Sequence, residues 1–237
     1  MSDALATNKA LYADLWRHFA LFAHDGWHAW REIAPFLETD KRRGVEIGPG
    51  KFPHLPPSRG VFVDLSRVAL KALKEAGGQC VVGALPLPLA SASFKVACAF
   101  ELLEHVAADA ALLEEIARVL EPGGVLFISC PMNPAYWTYY DGVMGHVRRY
   151  RADELRERLR EAGFVIERGC ARHDRMDRWF GWLFGIGVRY FTRVTAKVVE
   201  HYLPRVAALP HEWKDGEEFL SEAEKMGGVT LRARKVG

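Results

Sequence analysis

The stretch Val45-Glu46-Ile47-Gly48-Pro49-Gly50-Lys51 places an acid inside a short apolar run and then breaks the run with a Gly-Pro-Gly turn. Such a run reads as a buried strand. Glycines, lacking Cβ, let main-chain amides lie directly against a small molecule. A second acid, Asp64, follows the apolar run Val61-Phe62-Val63. A carboxylate at the end of a strand can accept hydrogen bonds from two vicinal hydroxyls, the way α/β folds hold a ribose. It can also cap a helix, and Ser66 is a second capping candidate. His24 and His28 stand four residues apart, a spacing at which two imidazoles can share a metal on a helix face. Gly26 between them argues against a stable helix, so a packed or solvated turn is the expectation.

The elements that must position these groups follow from the pattern of the chain. Residues 8–37 carry Leu11, Leu15, Trp16, Phe19, Phe22, Trp27, Trp30 and Ile33 at roughly helical spacing, closed by Pro35, which predicts one or two helices. Tyr12 and Trp16 lie on this stretch as candidates for a lid. Strands are expected over 44–48, 61–63, 79–82, 94–100, 125–130 and 164–170, and helices over 66–76, 108–120 and 152–162. That alternation implies crossovers and a largely parallel sheet covered on both faces. After Gly227-Gly228, Leu231 and Ala233 alternate with Arg232, Arg234 and Lys235, a pattern suited to an antiparallel strand near the sheet edge.

A chain of 237 residues fits one sizeable domain or a domain with an appendage. Hydrophobic residues at 49% and charged residues at 26% give a real core and exclude a disordered chain. The net charge of +2 does not point to nucleic acid. Met1 to Lys9 lacks the basic start and apolar run of a signal peptide. No apolar run reaches the roughly 18 residues of a spanning helix. Cys80, Cys98, Cys130 and Cys170 all fall in expected strands, as buried thiols of a protein in a reducing cytoplasm.

Five stretches, in order, are similar to the motifs of class I S-adenosylmethionine-dependent methyltransferases. Val45 to Gly50 resembles the first motif, and Val63-Asp64-Leu65-Ser66 the acidic end of the second strand. Leu87-Pro88-Leu89 with Ser93-Phe94 resembles the loop and fourth strand. Leu103-Glu104-His105-Val106 with Glu115 to Gly124 resembles the helix and the entry to the fifth strand. His146 to Tyr150, then Glu154-Leu155 and Ala162-Gly163-Phe164, resembles the downstream stretch. The match spans roughly residues 40–170 and the last strand. It implies an α/β, Rossmann-like, seven-stranded, mostly parallel sheet with the last strand antiparallel and helices on both faces. The expected organisation is an N-terminal helical cap at 1–40, a cofactor-binding core at 41–171 and 227–237, and a helical insertion or lid at 172–226.

The resemblance also implies S-adenosyl-L-methionine across the open ends of the first four strands. Glu46, Gly48, Pro49, Gly50 and Lys51 would border it, Asp64 would hold the ribose, Leu65 would pack on the adenine, and Gly83 and Ala84 would lie at the adenine edge. Three departures stand out: Phe52 and Pro53 replace a third glycine, Gly83 replaces the acid that accepts from the adenine amine, and Lys95 replaces the acid after Ser-Phe. Losing the adenine contact would cost about 1–2 kcal/mol.

Methyl transfer to oxygen or nitrogen is helped by a base, and His105 and His146 are the candidates. Tyr12, Trp137, Arg148 and Arg149 are candidates on the acceptor side, the arginines for an anionic group; alternatively they pair with Asp153 and Glu154. The Glu101-x-x-Glu104-His105 spacing resembles the metal-ligand set of ubiquinone-pathway O-methyltransferases and small-RNA 2′-O-methyltransferases, with His146 or His173 to complete it. The expectation is no metal, with Glu101 near the cofactor and Glu104 capping a helix. Trp179 to His201 mixes aromatics with Arg189, Arg193 and Lys197. A lid over an apolar acceptor pocket is expected there, ahead of plain packing or a helix resting on a membrane surface. The sequence therefore predicts methyl transfer to a hydroxyl, ahead of an amine or carbon, of a small, partly apolar molecule. The alternatives are a non-catalytic partner protein of the same fold and a metal-assisted RNA 2′-O-methyltransferase; an NAD-linked oxidoreductase is disfavoured because Phe52-Pro53 breaks the chain where G-x-G-x-x-G opens a helix.

Overall fold

The computed structural model describes residues 11–39, 43–173 and 178–237. The expectation for Met1 to Lys9 lies outside the described residues. The described residues begin with a helix over 11–18 (α1), and α2 (Trp30–Thr39) follows. The parallel strands β1 (Gly44–Ile47), β2 (Gly60–Asp64), β3 (Gln79–Val82), β4 (Phe94–Phe100) and β5 (Leu120–Pro131) follow. Between them lie α3 (Arg67–Glu75) and α4 (Asp109–Val119). Next come α5 (Tyr139–Met144), α6 (Ala152–Glu161), β6 (Phe164–His173), α7 (Arg178–Tyr190) and α8 (Thr192–Ala207). The chain closes with β7 (Lys214–Asp215), α9 (Phe219–Met226) and β8 (Gly227–Lys235).

The eight strands run in the order β3-β2-β1-β4-β5-β8-β6-β7. The eighth is the two-residue β7, which pairs antiparallel with the end of β6 and which no hydrophobic pattern announces. One face of the sheet packs on α4, α6 and α9 through Leu113, Ile116, Leu155, Leu159, Phe219 and Leu220. The other packs on α2 and α3 through Ile33, Leu37, Leu70 and Leu73 against Phe62 and Phe127. A sheet buried on both faces explains why β1 and β4 read as continuous apolar runs rather than alternating ones.

Two expectations are corrected. β8 is antiparallel but lies between β5 and β6, not near the edge. Its basic residues tolerate an interior strand because each is paired. Arg232 Nε donates to Glu167 at 2.7 Å, and Arg234 Nε donates to the same carboxylate. Lys235 Nζ donates to the Leu120 carbonyl at 2.8 Å. The alternation therefore reports the two faces of the strand, not its place in the sheet. Second, Cys80 sits half-buried on the edge strand β3, whereas Cys98, Cys130 and Cys170 are buried; all four are free.

Candidate active site

The open ends of β1, β2 and β4 converge on the Gly-Pro-Gly turn. Gly48 has φ +67° and Gly50 φ +54°, backbone that favours glycine. Asp64 organises the turn: one carboxylate oxygen accepts from the Gly50 amide at 2.9 Å and the other from the Ser66 amide at 2.7 Å. Burial raises its pKa, and those amides oppose the rise. A carboxylate offers about four acceptor positions, so the amides of Ser66, Gly50 and Leu65 leave acceptor capacity for a hydroxyl donor. Ser66, not Asp64, caps α3, its hydroxyl accepting from the Ala69 amide at 3.3 Å. Leu65, Gly83 and Ala84 line the same cavity beside Asp64, with Val82 and Leu85. The neighbouring Leu85–Leu89 loop is pinned from α4. Glu115 accepts from the Leu87 amide at 2.7 Å, and Arg118 donates to the carbonyls of Leu87 and Leu89.

Other residues of the first motif serve the loop itself. Glu46 is buried, and its oxygens accept from the amides of His54 and Leu55 and from the His54 ring, all at 3.0–3.1 Å. Its carboxylate thus holds the proline-rich stretch 53–57 against the end of the strand. Lys51 donates to the Phe19 carbonyl at 2.6 Å and so ties the turn to the N-terminal segment. Phe52, where a third glycine was expected, packs edge-on to Trp16 and Phe19 with centroids 5.1 and 5.0 Å apart. Such pairs are worth about 0.5–1.5 kcal/mol each beyond their buried area. The departure from the glycine pattern is thus the socket of the helical cap. Trp16 lies so close over Gly50 that a Cβ there would meet its indole at 2.1 Å.

On the acceptor side, α5 is closed by a capping box between Thr138 and Asp141. Asp141 is fully buried and accepts from Thr138, from Arg149 Nε at 2.8 Å and from His146 Nδ1 at 2.9 Å. These partners hold its carboxyl far below the usual range against the opposing effect of burial. An ionised carboxylate can only accept, so His146 donates to it from Nδ1, and Nε2 lies outside that bond. His105 lies edge-on to His146 with ring centroids 4.6 Å apart, and the Tyr12 hydroxyl stands 3.2 Å from His105 Nε2. Burial, aided by the neighbouring His146, pushes the His105 pKa down to about 3, so that imidazole is neutral at pH 7.

Of the remaining acceptor-side candidates, Arg149 lines the cavity and Arg148 and Trp137 do not. Arg148 donates to Asp109 at 2.8 Å and to the Ala107 carbonyl, and Arg149 is buried on Asp141. Neither pairs with Asp153 or Glu154. Tyr150 completes the stretch by donating to Asp109 at 2.8 Å. Trp137 is exposed and lies outside the cavity lining. Glu101 has φ +46°, accepts from Ser129 Oγ at 2.6 Å and pairs with Arg172 at 2.5 Å. Glu104, His105 and His146 present ligand atoms all within 4.8 Å of one another, and Glu101 is not among them. His24 packs on Trp30 while His28 stacks on His211 at 4.1 Å, so the two histidines four apart do not converge.

Sequence reasoning missed Asp141, buried behind His146, and two groups on the cavity wall, His211 and His54, the latter stacked between Trp27 and Phe100. Thr138-x-x-Asp141 is a legible capping spacing, but the tie to His146 is not. The other two carry no sequence signal.

One cavity of about 1870 Å³ spans all of this, from Gly48–Gly50 and Asp64 past His105 and His146 to α8. A model of the family described as "Methyltransferase domain" matches residues 22–168, more than half of the chain. The chain belongs to the methyltransferase domain family. A probable S-adenosylmethionine-dependent methyltransferase of Mycolicibacterium smegmatis is 39% identical over 34% of this chain and 32% of its own length. An O-methyltransferase of Pyrenophora dematioidea is 35% identical over 44% of this chain and 42% of its own. The chain thus spans about a third of the length of the mycobacterial relatives it matches. Among solved structures, the [4+2]-cyclase SpnF superposes with a TM-score of 0.56 at 25% identity, over 88% of this chain and 82% of that one. An S-adenosylmethionine-dependent methyltransferase of Thermotoga maritima gives 0.57 at 18%, over 90% and 91%, and shows the shared fold.

The methyltransferase site fits S-adenosylmethionine by its own geometry. The Gly turn exposes main chain to the cavity, Asp64 keeps acceptor capacity for a ribose, and Leu65, Val82 and Leu85 form an apolar slot. The missing acid at Gly83 leaves that slot without a side-chain acceptor at this position.

His105 and His28, both half-buried and held by desolvation to a pKa of about 3, also bear on the pH response of the fold. Below about 6.5 the unfolded chain binds protons that the folded one refuses, so stability is full above that pH and falls as pH drops toward 3. The urea midpoint is expected to be lower at pH 5 than at pH 7, before carboxylate titration contributes. An unchanged midpoint would count against neutral imidazoles there.

Proposed function

We propose that the chain transfers a methyl group to a hydroxyl of a small, partly apolar acceptor. The observation that carries this reading is the Asp141–His146 pair, which holds the imidazole on the cavity wall through Nδ1 and leaves Nε2 outside the bond. S-adenosylmethionine, when bound, supplies an electrophilic methyl carbon. The chain's own part is to orient and to accept a proton. His146 Nε2 takes the proton of the acceptor hydroxyl, and Asp141 stabilises the imidazolium that results. Neutral His105 and Tyr12 border the same region and position the acceptor. Phe184, Val188, Val199 and Leu203 give the far wall its apolar character. The name of the Pyrenophora relative supports oxygen as the acceptor atom. Calorimetry with S-adenosylmethionine tests the cofactor half: no heat at high micromolar cofactor would favour a non-catalytic partner protein.

A second reading rests on the convergence of Glu104, His105 and His146, a donor set suited to a divalent ion that would polarise the acceptor oxygen. We favour the imidazole base, because His146 is already oriented by a carboxylate. Chelator treatment is therefore expected to leave turnover unchanged. Loss of turnover that a divalent ion restores would move the assignment to the metal.

A further inference from the structure

The α7–α8 hairpin has two unlike faces. Its inner face closes the cavity through Phe184, Val188, Thr195, Val199 and Leu203. Gly181 and Gly185 let α7 press against Thr138 and Tyr139 of the α5 region. The outer face is not covered by any described part of the chain. On α7 it presents Trp179 at 73% exposure, Trp182 and Tyr190, the two indoles stacked at 5.4 Å. On α8, Val194, Val198 and Tyr202 form an exposed stripe at helical spacing. Interleaved with them are the exposed Arg189, Arg193, Lys197 and Arg205. Within residues 179–209 the single acid is Glu200, and it accepts from the Ala20 amide on the capping segment.

We propose that this outer face docks on an anionic membrane surface. Exposed Trp and Tyr are the side chains that settle at the level of lipid headgroups. Basic residues beside an apolar stripe add attraction to anionic lipid, and such helices lie in the interface rather than across it. No described helix is long and apolar enough to cross a membrane, which leaves the surface-lying mode. The charge argues against a second copy as occupant. A two-fold contact through this face would set Arg189, Arg193 and Lys197 of one copy against the same residues of the other. This docking does not depend on the methyl-transfer reading, since its readout is binding alone.

The test is co-sedimentation of the full chain with phosphatidylcholine vesicles, with and without about a third phosphatidylglycerol. Binding is expected to the anionic vesicles only and to weaken with added salt. The combined variant Arg189→Gln, Arg193→Gln, Lys197→Gln should lose at least tenfold in partitioning, as should Trp179→Ser with Trp182→Ser. None of these five residues lines the cavity, so circular dichroism and cofactor calorimetry report whether each variant is folded. Three results would overturn the proposal: equal binding to neutral and anionic vesicles, no binding to either, or a dimer in ultracentrifugation that both variants abolish.

Discussion

Replacing His146 with alanine is expected to lower turnover by about 10²–10⁴-fold, the usual contribution of a positioned base, while S-adenosylmethionine affinity stays near wild type. The separation is expected because the proposed reading gives His146 to the acceptor and the Gly turn and Asp64 to the cofactor, all on one cavity. The imidazole is oriented by a buried carboxylate already neutralised by Arg149. Asp141→Asn should therefore also cut turnover, through the lost orientation, even with His146 in place. Steady-state rates with any identified acceptor, read beside calorimetry, provide the check. Turnover that survives His146→Ala would remove it as the base and leave positioning as the only function of the dyad.

The second large effect is on cofactor binding. Asp64→Ala removes the acceptor capacity proposed for the ribose hydroxyls and frees the Gly50 amide that the carboxylate holds at 2.9 Å. Hydrogen bonds to a charged acceptor are worth about 1.5–3 kcal/mol, so the cofactor dissociation constant should rise at least tenfold. Asp64→Asn, which keeps an acceptor for one amide, should fall between. An unchanged constant in the alanine variant would exclude the ribose role and leave Asp64 as a loop anchor only.

Much of this could be read before any coordinates. The β1 run, the Gly turn, Asp64 and the alternation of strands and helices are local patterns, and local patterns survive folding. What the sequence hid was partnership. Arg148 and Arg149 look like free cations in a polar loop, yet one reaches Asp109 thirty-nine residues upstream and the other a carboxylate on the preceding short helix. Glu46 lines the cavity as its place in β1 suggested, but the amides it accepts from belong to residues 54 and 55, beyond a proline-rich turn whose path no periodicity encodes. The interior place of β8 was hidden for the same reason: alternating charge is the mark of an edge only until Glu167 is known to lie opposite. Phe52, read in the sequence only as the loss of a third glycine, packs on Trp16 and Phe19 and so seats the cap, a role that no motif announces.

The helix α1 has a kinetic consequence. Its Trp16 rests on Gly50 at the nucleotide end, and its Tyr12 reaches His105 at the other. One helix therefore borders the cavity at both places, and the release of spent cofactor and of product is expected to share its motion. Trp16→Ala should quicken both departures together; a change in one alone would show two independent doors.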